Sequence, residues 1–482
     1  MKNKRVLSIL FFLIILVAVF IYLNKIFASR HFYVNTTEDF KALAKKADID
    51  VIIYGSSHAY TAFNPLIINK KCKTLSFNLG SDALLLSITD LVLDESLKYT
   101  KPKLVILEVY KATFANPETE SQKGYQLRGL DFVSNFSLKK VKRVKELYNM
   151  NEYLGVFSPL IRNHDKWNGR KYSQLSKRVT PVKGKEFFYN GYIGYEGKLK
   201  QNKKYQGFQN RPIGKDSTVL NINAYSKKLL NNFIDLAKEH NIEVLLVYTP
   251  DIRVRSWNYF FFDELRQFAE KKEVGFLNFN DYYSEMNIDL QDFRDPSHLN
   301  ISGSIKTTSF LADYLSENYT FSNRSQTESY QESMIVFDQF EDMYYPFEPF
   351  SFHQQVDKNL VNDFKIEDIH VEKKKKDKLA IKINFSGQST APKKLKNYRL
   401  AIHTYPTKEG ASKLSERSKS RKILFDISDY LFKSNNDSIE LEFDSYLNDI
   451  DELEFFLYDK DGYKEIIGNK VRVSNIILTP SE

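Results

Sequence analysis

Three residues of this chain have the types and surroundings that acyl chemistry needs: Ser57, Asp295 and His298. Ser57 stands at the end of Val51-Ile52-Ile53-Tyr54-Gly55-Ser56, a short apolar run followed by a tight turn. A run with no polar interruption suits a central parallel strand, whose two faces are both covered. Gly55 lets the chain turn sharply, and a hydroxyl just after it sits beside the positive end of a following helix. A nucleophile whose reaction generates an oxyanion is well served there. Ordinary helix capping by serine explains the same Gly-Ser-Ser turn without any chemistry. Far downstream, Pro296 disfavours the α conformation at Asp295, so Asp295-Pro296-Ser297-His298 is expected to be a shaped loop. A carboxylate three residues before an imidazole can hold its Nδ1–H, which leaves Nε2 to accept a proton from a serine.

The elements around these residues must bring them together. Strands are expected at Val51–Tyr54, Thr74–Asn78, Leu104–Val109, Glu243–Tyr248 and Val274–Leu277, and helices around Asp82–Tyr99, Asn223–His240, Trp257–Lys272 and Gly303–Asn318. After Asn223, the spacing of Tyr225, Leu229, Phe233 and Leu236 predicts one buried helical stripe. Strands alternating with helices predict an α/β fold with a five-stranded parallel sheet, right-handed crossovers and helices on both faces. Ligands bind such sheets beyond the carboxyl ends of the strands. Ser57, Gly80 and the Asp295–His298 loop all follow predicted strands, an agreement independent of any motif.

Gly55-Ser56-Ser57, Asn78-Leu79-Gly80 and Asp295-Pro296-Ser297-His298-Leu299-Asn300 together resemble the SGNH (GDSL-like) esterases and acyltransferases. In the first block Ser56 replaces the usual Asp, so the resemblance assigns Ser57 as nucleophile. It gives Gly80 an oxyanion-hole N–H beside that of Ser57, and it makes His298 the base and Asp295 its orienting partner. The third block departs. Where the family usually places an Asn donor, this chain has Glu108-Val109-Tyr110, and a carboxylate donates only when protonated. The acyltransferases of alginate O-acetylation and teichoic-acid D-alanylation have similarly relaxed middle blocks. The resemblance spans about residues 45–320. It implies a serine-dependent acyltransferase acting on an envelope polysaccharide or glycolipid, or an esterase with the same triad. Transfer outside the cytoplasm would require a multispanning membrane partner to deliver the acyl group. A non-catalytic carbohydrate-binding or assembly factor is the remaining class, and the intact Ser57, Asp295 and His298 set argues against it.

Three neighbours of the triad carry weaker expectations. His58 either contacts the leaving group or is a first-turn helix residue facing the rim or the sheet. Glu108 either binds an acceptor hydroxyl or is a solvated or paired strand-end carboxylate. Arg294 either binds an anionic substrate or pairs with a surface carboxylate. His164 and His240 have no neighbour at metal-ligand spacing and read as structural, and no metal or cofactor is expected.

The 482 residues are 42% hydrophobic, ample for packed cores. A single cysteine, Cys72, excludes an internal disulfide framework and a Cys-based zinc site. The net charge of +9 suits a negatively charged envelope or lipid surface and does not by itself indicate nucleic acid. Lys2, Lys4 and Arg5 precede an apolar run from Val6 to Leu23. The run is long enough to span a bilayer, and its basic flank places the N-terminus inside and the body outside, in the periplasm or on the cell surface. Phe27-Ala28-Ser29 is a poor cleavage site, so residues 1–30 read as an anchor rather than a removed signal.

Residues 31–320 form the expected α/β domain, with an insertion at 111–217 rich in Lys, Arg and Tyr. That insertion is either a basic, aromatic wall for an anionic polysaccharide or a solvated helix face with surface loops. A polar stretch at 321–335 reads as a linker. Beyond it the pattern changes to period two, as in Lys378–Phe385 and Ser438–Phe443, which predicts a β-sandwich over 336–482.

Overall fold

The computed structural model describes residues 2–27, 32–114, 120–167, 186–200, 205, 207–208, 222–254 and 258–345, and in the C-terminal part 350–361, 364–375, 378–387, 398–406, 421–426, 438–444, 450–459, 466–474, 476 and 479–480. The chain divides into two compact units, residues 1–344 and 345–482. Much of the expected insertion, including 168 to 185 and 209 to 217, lies outside the described residues, as does Trp257.

The first unit is built on a parallel sheet. Its strands are β1 (Val51–Tyr54), β2 (Ser76–Asn78), β3 (Leu104–Glu108), β6 (Glu243–Tyr248) and β7 (Gly275–Asn278), in the order β2-β1-β3-β6-β7. Between β3 and β6 the chain adds a separate antiparallel hairpin, β4 (Glu186–Tyr189) and β5 (Tyr192–Tyr195). In the parallel sheet Ile52 lies opposite Phe77 on one side and Val105 on the other. β1 is buried along its whole length, as an apolar run without polar breaks requires.

Alternation then divides the side chains between two cores. Ile52, Tyr54, Val105 and Leu107 pack on one face, while Val51, Ile53, Leu104 and Ile106 pack on the other. The first face is covered by helices α2 (Phe32–Lys46), α5 (Leu86–Ser96), α10 (Ala224–Glu239) and α11 (Asn258–Lys271). The second is covered by α3 (Ser57–Ala62), α4 (Pro65–Cys72) and α12 (Ile301–Asn318). Truncating a leucine in either core to alanine would cost about 2–5 kcal/mol.

Helix α10 begins where its capping residue predicts, because the Asn223 side chain accepts the Ser226 N–H at 2.7 Å. Leu229, Phe233 and Leu236 form its buried stripe. Tyr225 departs from that expectation and stays exposed; it is the second residue of the helix, in the first turn.

Two boundaries also differ from expectation. Residues 321–335 are not a free linker, for Arg324 reaches back to Asp50 at 2.8 Å and a helix, α13, runs from Glu328 to Tyr344. Polar composition conceals an apolar stripe of Tyr330, Phe337 and Phe340, whose burial fixes this helix to the first unit. The C-terminal unit therefore starts at Tyr345 rather than at residue 336.

That unit contains a five-stranded and a four-stranded antiparallel sheet. Ile381, Ile383 and Phe385 of one sheet share a core with Leu453, Phe455 and Leu457 of the other, each set at the two-residue period of a strand. At the other end of the chain, α1 (Lys2–Ile26) contains a stretch, Val6–Asn24, long and apolar enough to cross a membrane.

Candidate active site

The turn after β1 is held from two sides. A Cβ on Gly55 would lie 2.5 Å from Glu108 Cβ and 2.9 Å from Ala59 Cβ, so the close approach of β3 to the turn admits only glycine. Ser56 is the N-cap of α3. Its Oγ accepts the His58 N–H at 3.2 Å and donates to Glu108 Oε2 at 2.8 Å, while its own N–H donates to the same oxygen at 2.9 Å. Both serines of the turn are thereby distinguished: Ser56 is buried and engaged with Glu108, and Ser57 Oγ meets His298 Nε2 at 2.8 Å.

His298 comes from a small two-stranded turn, β8 (Phe293–Asp295) and β9 (His298–Leu299), at the N-terminal side of α12. Its Nδ1 lies 2.9 Å from Asp295 Oδ2 and 3.0 Å from Oδ1. Asp295 also accepts the N–H groups of Ser297 and His298 at 2.9 and 3.1 Å and the Ser297 hydroxyl at 3.1 Å. Partial burial opposes its charge. The bonds from His298 and Ser297 outweigh that and hold the carboxyl well below the usual range. An ionised Asp295 therefore faces the Nδ1 edge and leaves Nε2 to Ser57.

The weaker candidates take different places. His58 is buried, its ring stacked on Tyr110 at 3.9 Å and on His298 at 4.5 Å. Burial, then the neighbouring His298 and Arg253, push its pKa well down, which keeps it neutral. It lies against the face of His298 rather than at an open rim. Glu108 is fully buried and is a paired rather than a solvated strand-end carboxylate; burial pushes its pKa up to about 7 against the two bonds from Ser56. Glu108 Oε2 is engaged with the Ser56 turn. Arg294 is exposed, and its guanidinium lies 3.7 Å above the Tyr195 ring rather than against a carboxylate.

Gly80 sits beside the same turn, and its N–H donates to Asn78 Oδ1 at 3.0 Å. A Cβ there would meet that same Oδ1 at 2.9 Å. The Asn78 side chain captures the N–H two residues ahead, a local side-chain bond that competes with any outward donor role. Ser57, as the first residue of α3, keeps an N–H with no partner inside its helix.

Several residues around the triad escaped the sequence reading. Asn78 Nδ2 donates to the carbonyls of Ala59 and Phe63, which fastens α3 to the end of β2. Tyr60, one helical turn after Ser57, donates to Asp82 at 2.5 Å, and Arg128 bonds the other oxygen of Asp82 at 2.6 Å. Arg253 joins Asp251 to the Tyr110 hydroxyl, and the Ile252 N–H donates to the Pro296 carbonyl at 3.2 Å.

The β4–β5 hairpin of the insertion and the residues just after it touch both halves of the site. The Asn78 N–H donates to the Asn190 carbonyl at 2.9 Å, while the Leu199 N–H and the Gly197 carbonyl bond Phe293 and Asn300. Only the helical i, i+3 spacing of Ser57 and Tyr60 was available as a sequence signal. Apart from Asp251 and Arg253, two residues apart, the other partners are far apart in the chain.

No family model matches this chain, and no curated protein does. Among solved structures, it is similar to a protein assigned to the G-D-S-L lipolytic family from Desulfitobacterium hafniense, at 10% identity and a TM-score of 0.29 over 55% of this chain and 99% of that one. It is also similar to a gut microbial diltiazem-metabolizing enzyme, at 9% identity and a TM-score of 0.24 over 87% of this chain and 72% of the other.

Proposed function

We propose that this protein is a serine-dependent acyl-ester enzyme of the SGNH type that transfers an O-acyl group to an extracytoplasmic envelope polysaccharide or glycolipid. The observation that carries the reading is the continuous hydrogen-bonded relay from Ser57 Oγ to His298 Nε2 at 2.8 Å and from His298 Nδ1 to Asp295 at 2.9 Å. Such a relay, mounted at the head of a helix beyond a central parallel strand, is what a serine needs to become a nucleophile at neutral pH.

In the reaction, Ser57 Oγ attacks the acyl carbonyl while His298 Nε2 takes its proton. Asp295 stabilises the resulting imidazolium through Nδ1–H. The tetrahedral oxyanion meets the Ser57 N–H and the positive end of α3. Collapse breaks the bond to the leaving oxygen, which departs with the proton from His298 and leaves acyl-Ser57. An acceptor hydroxyl then gives its proton to His298 and attacks the acyl carbon, forming the new ester and restoring Ser57.

The apolar stretch Val6–Asn24, preceded by Lys2, Lys4 and Arg5, serves as a membrane anchor that holds the body outside. Because acyl-CoA donors are cytoplasmic, a multispanning membrane protein supplies the acyl group.

The test uses purified full-length protein with a small chromogenic acetyl ester, alone and with oligosaccharide acceptors, read by intact mass. Acetyl added at Ser57 and passed to sugar is the expected result. An adduct lost only to water makes the protein an esterase. Folded protein with neither adduct nor turnover, or a Ser57→Ala variant that keeps full activity, overturns the mechanism.

A further inference from the structure

The outer end of the apolar helix is gripped by the insertion. Asn24 Oδ1 accepts the Ser158 hydroxyl at 2.7 Å and the Leu160 N–H at 3.2 Å, and Asn163 Nδ2 donates to the Phe27 carbonyl at 2.8 Å. The Phe27 ring lies 5.9 Å from that of Trp167. The segment Tyr153–Trp167 is thereby fastened to the helix at the level where a spanning helix leaves the bilayer. Leu154, Ile161 and Trp167, all large and apolar, are nevertheless solvent-exposed in this segment.

The exposure extends to the adjoining loop. Phe136 is 96% exposed and Leu138 84%, and the Asn135 side chain donates to the Phe157 carbonyl, which joins this loop to the same segment. Single exposed apolar residues are ordinary, but a group of them in mutually bonded segments needs a partner. The helix α7 (Leu138–Leu147) adds exposed Lys142 and Lys145, four and seven residues after Leu138 and so on the same side of the helix.

We propose that residues 134–167 lie on the outer surface of the membrane as an interfacial platform, with Phe136, Leu138, Leu154, Ile161 and Trp167 among the headgroups and upper acyl chains and the lysines against anionic lipid. Continuity with the apolar helix selects lipid over a protein partner. Apolar side chains beside lysines, with a tryptophan at headgroup level, match an interfacial contact. The inference rests on the anchor reading of α1 given above. It also bears on the substrate: Arg162 of the platform bonds Asp131 in the helix Glu120–Phe132, Arg128 of that helix bonds Asp82, and Asp82 bonds Tyr60 one turn from Ser57, so the platform and the reacting serine are mechanically joined. The site is held at a fixed height over the bilayer, and acceptors carried on or near lipid are favoured.

The chain has two tryptophans, so Trp257→Phe leaves Trp167 as the sole indole. Full-length protein of this form is placed in vesicles of phosphatidylcholine and phosphatidylglycerol whose acyl chains are brominated near the headgroup. Trp167 fluorescence is expected to fall about twofold relative to unbrominated vesicles, as for an indole in the interface. If Trp257→Phe fails to fold, the difference between wild type and Trp167→Phe gives the same quantity. In a Cys72→Ser background, a fluorophore on Ile21→Cys, near the outer end of the apolar stretch and so at the depth of the bromines, reports the helix separately. A quenched helix probe with an unquenched Trp167 overturns the platform and leaves the anchor standing. If neither is quenched, the anchor reading fails and the platform with it.

Discussion

The turn that carries Ser57 is stabilised by a group whose charge the fold resists. Glu108 is buried beneath the turn, and its pKa is pushed up to about 7 from an ordinary value of 4.5. A raised carboxyl pKa means that folding favours the neutral form. The contribution of Glu108 to stability is therefore complete below about pH 4.5 and is lost as the pH rises through about 7. Glu108→Gln removes the titration but keeps an oxygen to accept the Ser56 N–H and hydroxyl. The melting temperature of the wild type relative to that of Glu108→Gln is expected to fall by several degrees between pH 4.5 and 7.5. A constant difference across that range, measured by thermal denaturation, would show that Glu108 does not titrate there. Ser56→Ala should act differently from Ser57→Ala. It forfeits two hydrogen bonds of about 1 kcal/mol each, yet adduct formation at Ser57 should continue at a reduced rate. Equal loss in both variants would mean that the turn, not the Ser57 oxygen, is what the reaction requires.

At the scale of elements, the Arg324–Asp50 pair decides whether the segment after α12 is a linker or part of the fold. Arg324 bonds both oxygens of Asp50, at 3.0 and 2.8 Å, and Asp50 is 3% exposed where it precedes β1. Thr74 Oγ1 and the Leu75 N–H also donate to this carboxylate, so it stays partly satisfied if the arginine is removed. Arg324→Ala should therefore cost about 2–4 kcal/mol, less than an entirely orphaned buried charge, and Arg324→Lys should recover part of that. Denaturant unfolding of the three proteins measures it, and an unchanged midpoint for Arg324→Ala would return this segment to the status of a loose connection. The contact was not legible in the sequence because its partners lie at opposite ends of the unit. What was legible had short range and strong period: the apolar strands, the α10 stripe apart from Tyr225, and Asp295 and His298 three residues apart. The Gly80 hydrogen bond was hidden for a related reason. The glycine was visible in Asn78-Leu79-Gly80, but the folding back of the Asn78 amide onto its N–H depends on the carbonyls of Ala59 and Phe63 that hold the other end of that amide.

For the whole molecule, the position of the unit boundary has functional consequences. The core of residues 345–482 draws its described members from Phe352 to Ile476 and includes none from the first unit, so a cut after Tyr344 divides no core cluster. A cut after Asn323 is different, because it removes α13. Phe340 of that helix packs on Phe187 at 4.7 Å and on Tyr192 at 6.5 Å, both in the β4–β5 hairpin. The turn of the hairpin lies against β2 closely enough that a Cβ on Gly191 would collide with the Asn78 carbonyl oxygen. Asn78 in turn fastens α3, which begins with Ser57. A helix remote in sequence thus supports the hairpin, the hairpin supports the end of β2, and β2 supports the turn that carries Ser57. Residues 1–344 are expected to keep hydrolysis of a small acetyl ester within about twofold of the full chain, whereas residues 1–323 should lose Arg324, the Phe340 contacts and most activity, with a melting temperature lower by at least 5–10 °C. Activity assays and melts of the two truncations check this. Equal activity in both would show that the hairpin holds its place without the helix behind it, and loss of activity in both would mean that the C-terminal sheets take part in the reaction.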